Sequence, residues 1–221
     1  EAFVCTKPFL RLAIFRQRGS QSPFRLSQTD PFWGMRTWFL EPTQIDKSPL
    51  PALQPAEFRW RGSQTLRLTA APAPKAQLQL IWEVTLDPKQ PILKVRHGIK
   101  NLARKPRRLA AWAILVFPHQ GVGLAPWPTH PKTVPALLVF NGCHATERAI
   151  RLGDHAVGLD FRNPLRFGWV KIGVNSDAGW AGYLWPGGAL KSSVAHVPGA
   201  DYPAGGGTGT FYSSGKTRTE G

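Results

Sequence analysis

Six histidines, one rigid tryptophan and a knot of basic side chains are the residues with chemistry to offer in this chain. His97 falls on the inward register of an alternating segment, where a neutral imidazole must find a hydrogen-bond partner. A satisfied interior histidine is the plainer reading, an acid–base group the sharper one. His119 and His130 flank a segment rich in Gly and Pro and are better placed to meet a ligand, although loop histidines are also ordinary surface. No HxH or HxxxH pair and no CxxC occurs, so spacing supports no metal site. Trp127, between Pro126 and Pro128, is held stiffly. Its face would stack on the apolar C–H side of a pyranose or plug the end of a sandwich, and both readings stand. Arg104, Lys105, Arg107 and Arg108 crowd one loop and form the densest basic patch. That loop holds no aromatic ring to stack on bases, so a nucleic-acid partner is disfavoured. Gly205-Gly206-Gly207 lacks the Lys and helix of a phosphate-binding loop. Gly-x-Ser-x-Gly is absent, which removes the nucleophile elbow of a serine hydrolase.

The elements that must position these groups read as β-strands. Leu78, Leu80, Trp82, Val84 and Leu86 alternate with Gln79, Glu83 and Thr85, the period-two pattern of a sheet with one buried face. Asp87-Pro88-Lys89-Gln90-Pro91 supplies turn chemistry. Leu93, Val95, His97 and Ile99 then alternate with Lys94, Arg96 and Lys100. After the loop 101–108, Leu109 to Phe117 is apolar on both faces, as a central strand between two layers would be. Three consecutive strands in one antiparallel sheet are expected here. Trp33 to Leu40 is a candidate strand, and Phe58, Trp60, Leu66 and Leu68 flank a hairpin at 61–64. Residues 118–128 read as a long Gly- and Pro-rich loop of the kind that often carries function. Further short strands are expected at 136–140, 156–161, 169–174 and 180–184. Trp33, Trp38, Trp60, Trp82, Trp112 and Trp180 sit in strands and are core by default. No convincing amphipathic helix longer than about two turns is present.

At 221 residues, 42% hydrophobic and with nine Trp, the chain can bury a sizeable core as one all-β domain. Its 28 Lys plus Arg against 13 Asp plus Glu leave +15, an excess that suits anionic partners. The basic residues are scattered along outward strand positions and turns without a run of five or six, which favours a solvated surface. Cys5 and Cys143 would be free to pair but have no spacing that demands it. No stretch approaches the roughly 18 apolar residues needed to span a bilayer, and Lys7 and Arg11 interrupt the one candidate leader. The chain begins at Glu1 without a Met, compatible with a processed or truncated product.

Several segments carry a resemblance. They are Trp33-Gly34-Met35-Arg36-Thr37-Trp38, Val95 to Asn101 followed by Ala111-Trp112-Ala113, Lys171-Ile172-Gly173-Val174 followed by Gly179 to Tyr183, and Pro198 to Pro203 with its trailing glycines. In this order they resemble a family of uncharacterised bacterial proteins with the galactose-mutarotase-like, aldose epimerase-like β-supersandwich fold. The resemblance runs from about residue 33 to the end. It implies an all-β fold of mostly antiparallel strands over 1–221 as a single domain, lacking its extreme N-terminal strands. Residues 1–30 would be edge strands and 199–221 a Gly-rich loop with a terminal strand.

Sugar epimerases on this scaffold open and close a cyclic hemiacetal with a His and a Glu, one taking the anomeric hydroxyl proton and the other protonating the ring oxygen. The resemblance places the carboxylate at Glu220. The strand where those enzymes keep their His carries Trp112 here, leaving His97 as the remaining strand histidine. Arg36 matches the region of a substrate-binding Arg, and Lys171 stands where the family pattern also has Lys, suited to a sugar oxygen or carboxylate. With Trp112, His119 and Trp127 these form the expected carbohydrate contacts. The expectation is a carbohydrate-binding domain without strong catalysis and without cofactor. Its alternatives are an active mutarotase, a basic β-module for polyanions, and an accessory domain with no ligand.

Overall fold

The computed structural model describes residues 1–7, 10–16, 18–20, 22–24, 34–40, 50–51, 54–118, 120–129, 136–140, 149–162, 169–200, 202 and 207–214. It is all-β, with antiparallel sheets and no helix among the described residues. Among the described residues no helix is long and apolar enough to cross a membrane. The chain divides into two compact units, Glu1–Pro118 and His119–Gly221.

The described residues of the first unit form two sheets. One is a four-stranded meander of β5 (Ala56–Arg61), β6 (Thr65–Ala70), β7 (Leu78–Leu86) and β8 (Leu93–Asn101). The other contains β1 (Ala2–Cys5), β2 (Arg11–Phe15), β3 (Gly34–Leu40), β4 (Leu50–Pro51) and β9 (Ala110–Val116). The alternation in β7 does what it should: Leu78, Leu80, Trp82 and Val84 are buried and join Leu68, Leu12 and Met35 in the interior. The turn after β7 is an Asx turn, the Asp87 carboxylate accepting from the backbone N–H of Lys89 at 2.9 Å and of Gln90 at 3.0 Å. The hairpin at 61–64 is present, with Arg61 opposite Thr65.

Three expectations need correction here. The strands from Leu78 to Phe117 do not share one sheet: β7 pairs β8, but β9 crosses to the facing layer and pairs β3 from Gly34↔Val116 to Leu40↔Ala110. An apolar run looks the same in either layer, so pattern alone could not assign it. Nor is β9 a central strand; among the described residues it pairs with β3 alone, and Ala113 is exposed. Trp60 is not core. It shares the inward register of Leu66 and Val84, yet it is 63% exposed and Phe58 59%. Both stand on edge strand β5, which has the meander on one side only. Gly34 opens β3 with φ +91°, and a Cβ there would meet the Leu12 carbonyl oxygen at 2.1 Å. Glycine is what lets β3 lie this close to β2.

The described residues of the second unit also form two sheets. The larger follows the order β12 (Ile150–Leu152), β13 (Ala156–Asp160), β10 (Val122–Pro126), β15 (Trp180–Trp185), β16 (Gly188–Ser193). The smaller is β11 (Leu137–Val139), β14 (Trp169–Val174), β17 (Gly209–Ser214). Ala125, Val157 and Leu159 of one pack with Val170, Ile172 and Val174 of the other. The stretch expected as a long loop is thus largely wrong: Val122–Pro126 is a strand flanked on both sides, by β13 and by β15. Its glycines serve close packing rather than looseness. A Cβ on Gly123 would sit 2.9 Å from the Phe211 ring and 3.0 Å from that of Phe161.

Candidate functional site

The outer face of β3 and β9 gathers the most chemistry. In a strand, alternate residues face opposite sides. Met35 and Thr37 are buried, so Arg36 and Trp38 face outward, and the register sets Ile114 beside Arg36 and Trp112 beside Trp38. The Arg36 guanidinium lies 5.1 Å from the Trp38 ring centre, a cation–π contact. Trp38 meets Trp112 edge to face at 6.5 Å. The Trp38 indole N–H is buried and has no hydrogen-bond partner among the described residues. The arrangement offers two indoles at right angles with one fixed cation beside them.

The inner side of the same strand carries a separate polar network. Trp82 Nε1 donates to Thr37 Oγ1 at 3.1 Å, and Thr37 Oγ1 lies 2.6 Å from His97 Nδ1. The Thr37 oxygen already accepts from Trp82, so its own proton is available to Nδ1. That suits a neutral imidazole with its hydrogen on Nε2. Burial pushes the His97 pKa down to about 4, and the ring packs edge to face on Trp82 at 5.4 Å. His97 is therefore an interior histidine satisfied by Thr37, a partner that sequence reasoning did not name.

Of the residues expected at a site, Arg36 and Trp112 come together on adjacent strands. His97 stands on β8 of the facing sheet and points into the interior between the two sheets. Trp127 and Lys171 belong to the second unit. Trp127 packs against the apolar interior, its Nε1 donating to the Gly153 carbonyl at 2.7 Å. Lys171 is on the register opposite to buried Val170 and Ile172, and its ammonium lies 4.4 Å from the Phe140 ring centre. Burial lowers its pKa. His119, His130, Glu220 and Cys143 lie outside the described residues, and Cys5 is a free thiol.

Two further polar places lie in the second unit. The fully buried Asp160 carboxylate is gripped by Arg162 at 2.7 Å and Arg151 at 3.2 Å, and the Arg162 hydrogen bonds hold its pKa far below the usual range. An open groove of about 440 Å³ is lined by Asp177, Gly179, Ser193 and His196. The Asp177 carboxylate there already accepts from the Thr129 N–H and hydroxyl, and His196 stacks on Tyr202. Both places are committed to holding their own loops. Among the described residues no group of three or more His, Cys, Asp or Glu is placed to hold a metal ion. No family model, curated protein or solved structure matches the chain.

Trp38, expected as core and not as a site residue, is half-buried and stands beside Arg36. The signal was available: Arg36 and Trp38 share a parity with each other and not with Met35 and Thr37.

Proposed function

We propose that this chain is a carbohydrate-binding module of galactose-mutarotase-like architecture that holds a sugar on the outer face of β3 and β9 without strong catalysis. The observation that carries the reading is the cluster of Arg36, Trp38 and Trp112 on that face. Indole faces suit the C–H side of a pyranose, and a guanidinium donates to ring or hydroxyl oxygens. His97 supports binding without turnover, because its Nδ1 is occupied by Thr37 and its ring faces the interior. The parts of the resemblance at Gly34–Trp38 and around Trp112 fall on these same strands, and Trp33 lies outside the described residues.

The test is a titration of monosaccharides and short oligosaccharides followed by tryptophan fluorescence, with polarimetry on fresh α-glucose and α-galactose. Saturable binding that is lost in Trp112→Ala and in Arg36→Ala, with mutarotation no faster than buffer, is expected. Binding that survives both variants overturns the site, and enzymatic acceleration of mutarotation overturns the statement on catalysis.

A further inference from the structure

We propose a second site on the outer face of the β5–β8 meander, one that takes a linear sulfated or carboxylated polysaccharide. The register lays down a row Arg59–Arg67–Glu83–Arg96 across all four strands. Beside it runs a row Arg61–Thr65–Thr85–Lys94, and Lys100 stands opposite Gln79. Six cations share this face with two carboxylates, Glu57 and Glu83. Residues that look scattered in the sequence are thereby gathered onto one surface. Arg59, Lys94 and Lys100 are exposed, and the side chains of Arg61 and Arg96 are 61% and 84% open to solvent.

Glu83 offsets one of the six positive charges and leaves the face strongly cationic. Its carboxylate lies 3.1 Å from Arg67, 3.8 Å from Arg61 and 3.8 Å from Arg96, so it is shared among three guanidiniums and competes with a bound anion for them. Arg59 makes no ion pair among the described residues. Neighbouring strands are about 4.8 Å apart and alternate residues about 6.8 Å along a strand, so the cations form a shallow grid. Guanidinium groups match sulfate and carboxylate oxygens with paired donors.

Composition chooses between polyanions. Phe58 and Trp60 take the opposite register to the arginines of β5, so no aromatic residue stands on this face to stack on bases. Thr65, Thr69, Thr85 and Gln79 lie between the charges. Thr65 and Thr85 bond each other at 2.8 Å and Gln79 Nε2 donates to the Ala70 carbonyl. That leaves the second hydroxyl proton of the Thr pair, Thr69 and the Gln79 side-chain oxygen for sugar hydroxyls. A flat, hydroxyl-rich, cationic sheet fits an extended acidic glycan better than a nucleic acid. The basic loop at 104–108 is a weaker candidate, because Arg107 donates to the Ala76 carbonyl and is tied into the fold.

The experiment titrates the intact chain with a heparin-derived octasaccharide, a 20-base-pair DNA duplex and neutral dextran. With three or four anion contacts, octasaccharide affinity should fall about 20- to 50-fold between 50 and 200 mM salt. Dextran should not bind at this face, and the duplex should bind at least tenfold more weakly. Arg59→Ser/Arg61→Ser/Arg96→Ser should lose most octasaccharide binding. Arg104→Ser/Lys105→Ser/Arg108→Ser should keep it within about threefold, and Trp112→Ala should leave it unchanged. Glu83→Gln should bind more tightly, since it removes the competing carboxylate; this gain cannot come from a damaged fold. Loss in the loop variant with the face variant intact overturns the location. Duplex binding as tight as the octasaccharide overturns the ligand class, and weaker binding by Glu83→Gln overturns the role given to Glu83. Failure of the Trp112→Ala sugar test alone would leave this site standing.

Discussion

His97 shows how one residue can look catalytic in sequence and be structural in the fold. It sits between Trp82 and Thr37, and burial lowers its pKa from the ordinary 6.5 to about 4. The unfolded chain therefore binds a proton at His97 more readily than the folded one. The resulting stability is fully present above pH 6.5 and drains away as pH falls toward 4. Two and a half units correspond to about 3 kcal/mol at most. Urea unfolding at pH 7.5 and pH 4.5 should show this loss, and His97→Asn, whose side-chain oxygen can accept from Thr37, should lack that part of the pH dependence. Equal pH dependence in the two proteins would show that His97 does not titrate with folding. The inward register of His97 was legible from Leu93, Val95 and Ile99. Its partner was not, because Thr37 lies in a distant segment and only the facing of two sheets brings it near.

Individual strands were legible where alternation was strong and illegible where it was weak. β7, β8 and the 61–64 hairpin follow directly from their patterns and turn residues. β10 was hidden because Gly121, Gly123, Pro126 and Pro128 read locally as loop, and only the packed neighbours explain them. That explanation can be tested. Gly123→Ala drives a methyl into the Phe211 and Phe161 rings and should cost roughly 1–3 kcal/mol by overpacking. Gly182→Ala in β15 meets its nearest atoms at an ordinary 3.5 Å and should cost less. Denaturant midpoints of the two variants settle the order, and equal values would mean β10 is free to move aside. The site face was half legible. Arg36 and Trp112 could be named one by one, but their adjacency needed the β3–β9 pairing. The basic meander face was missed for a related reason: charges spaced along four strands form no run in the sequence.

At the scale of the molecule, each unit has its own interior, Trp82 and Leu68 in one and Val157, Ile172 and Val174 in the other. In the first unit the two sheets differ in how far the chain must travel to build them. The meander joins neighbours in sequence, hairpin after hairpin, whereas β3 waits for β9 until the whole meander lies between them. Loop-closure entropy delays such distant pairings. The order of assembly should therefore be meander first, and the Arg36–Trp38–Trp112 face last. In stopped-flow refolding, the Trp82 signal should mature ahead of the Trp38–Trp112 signal, as followed in Trp112→Phe and Trp82→Phe variants. Simultaneous appearance of the two would mean the layers nucleate together. If the order holds, the sugar-facing surface becomes a completion mark: a chain stalled during synthesis or partly unfolded by heat could present its basic meander while lacking the tryptophan face.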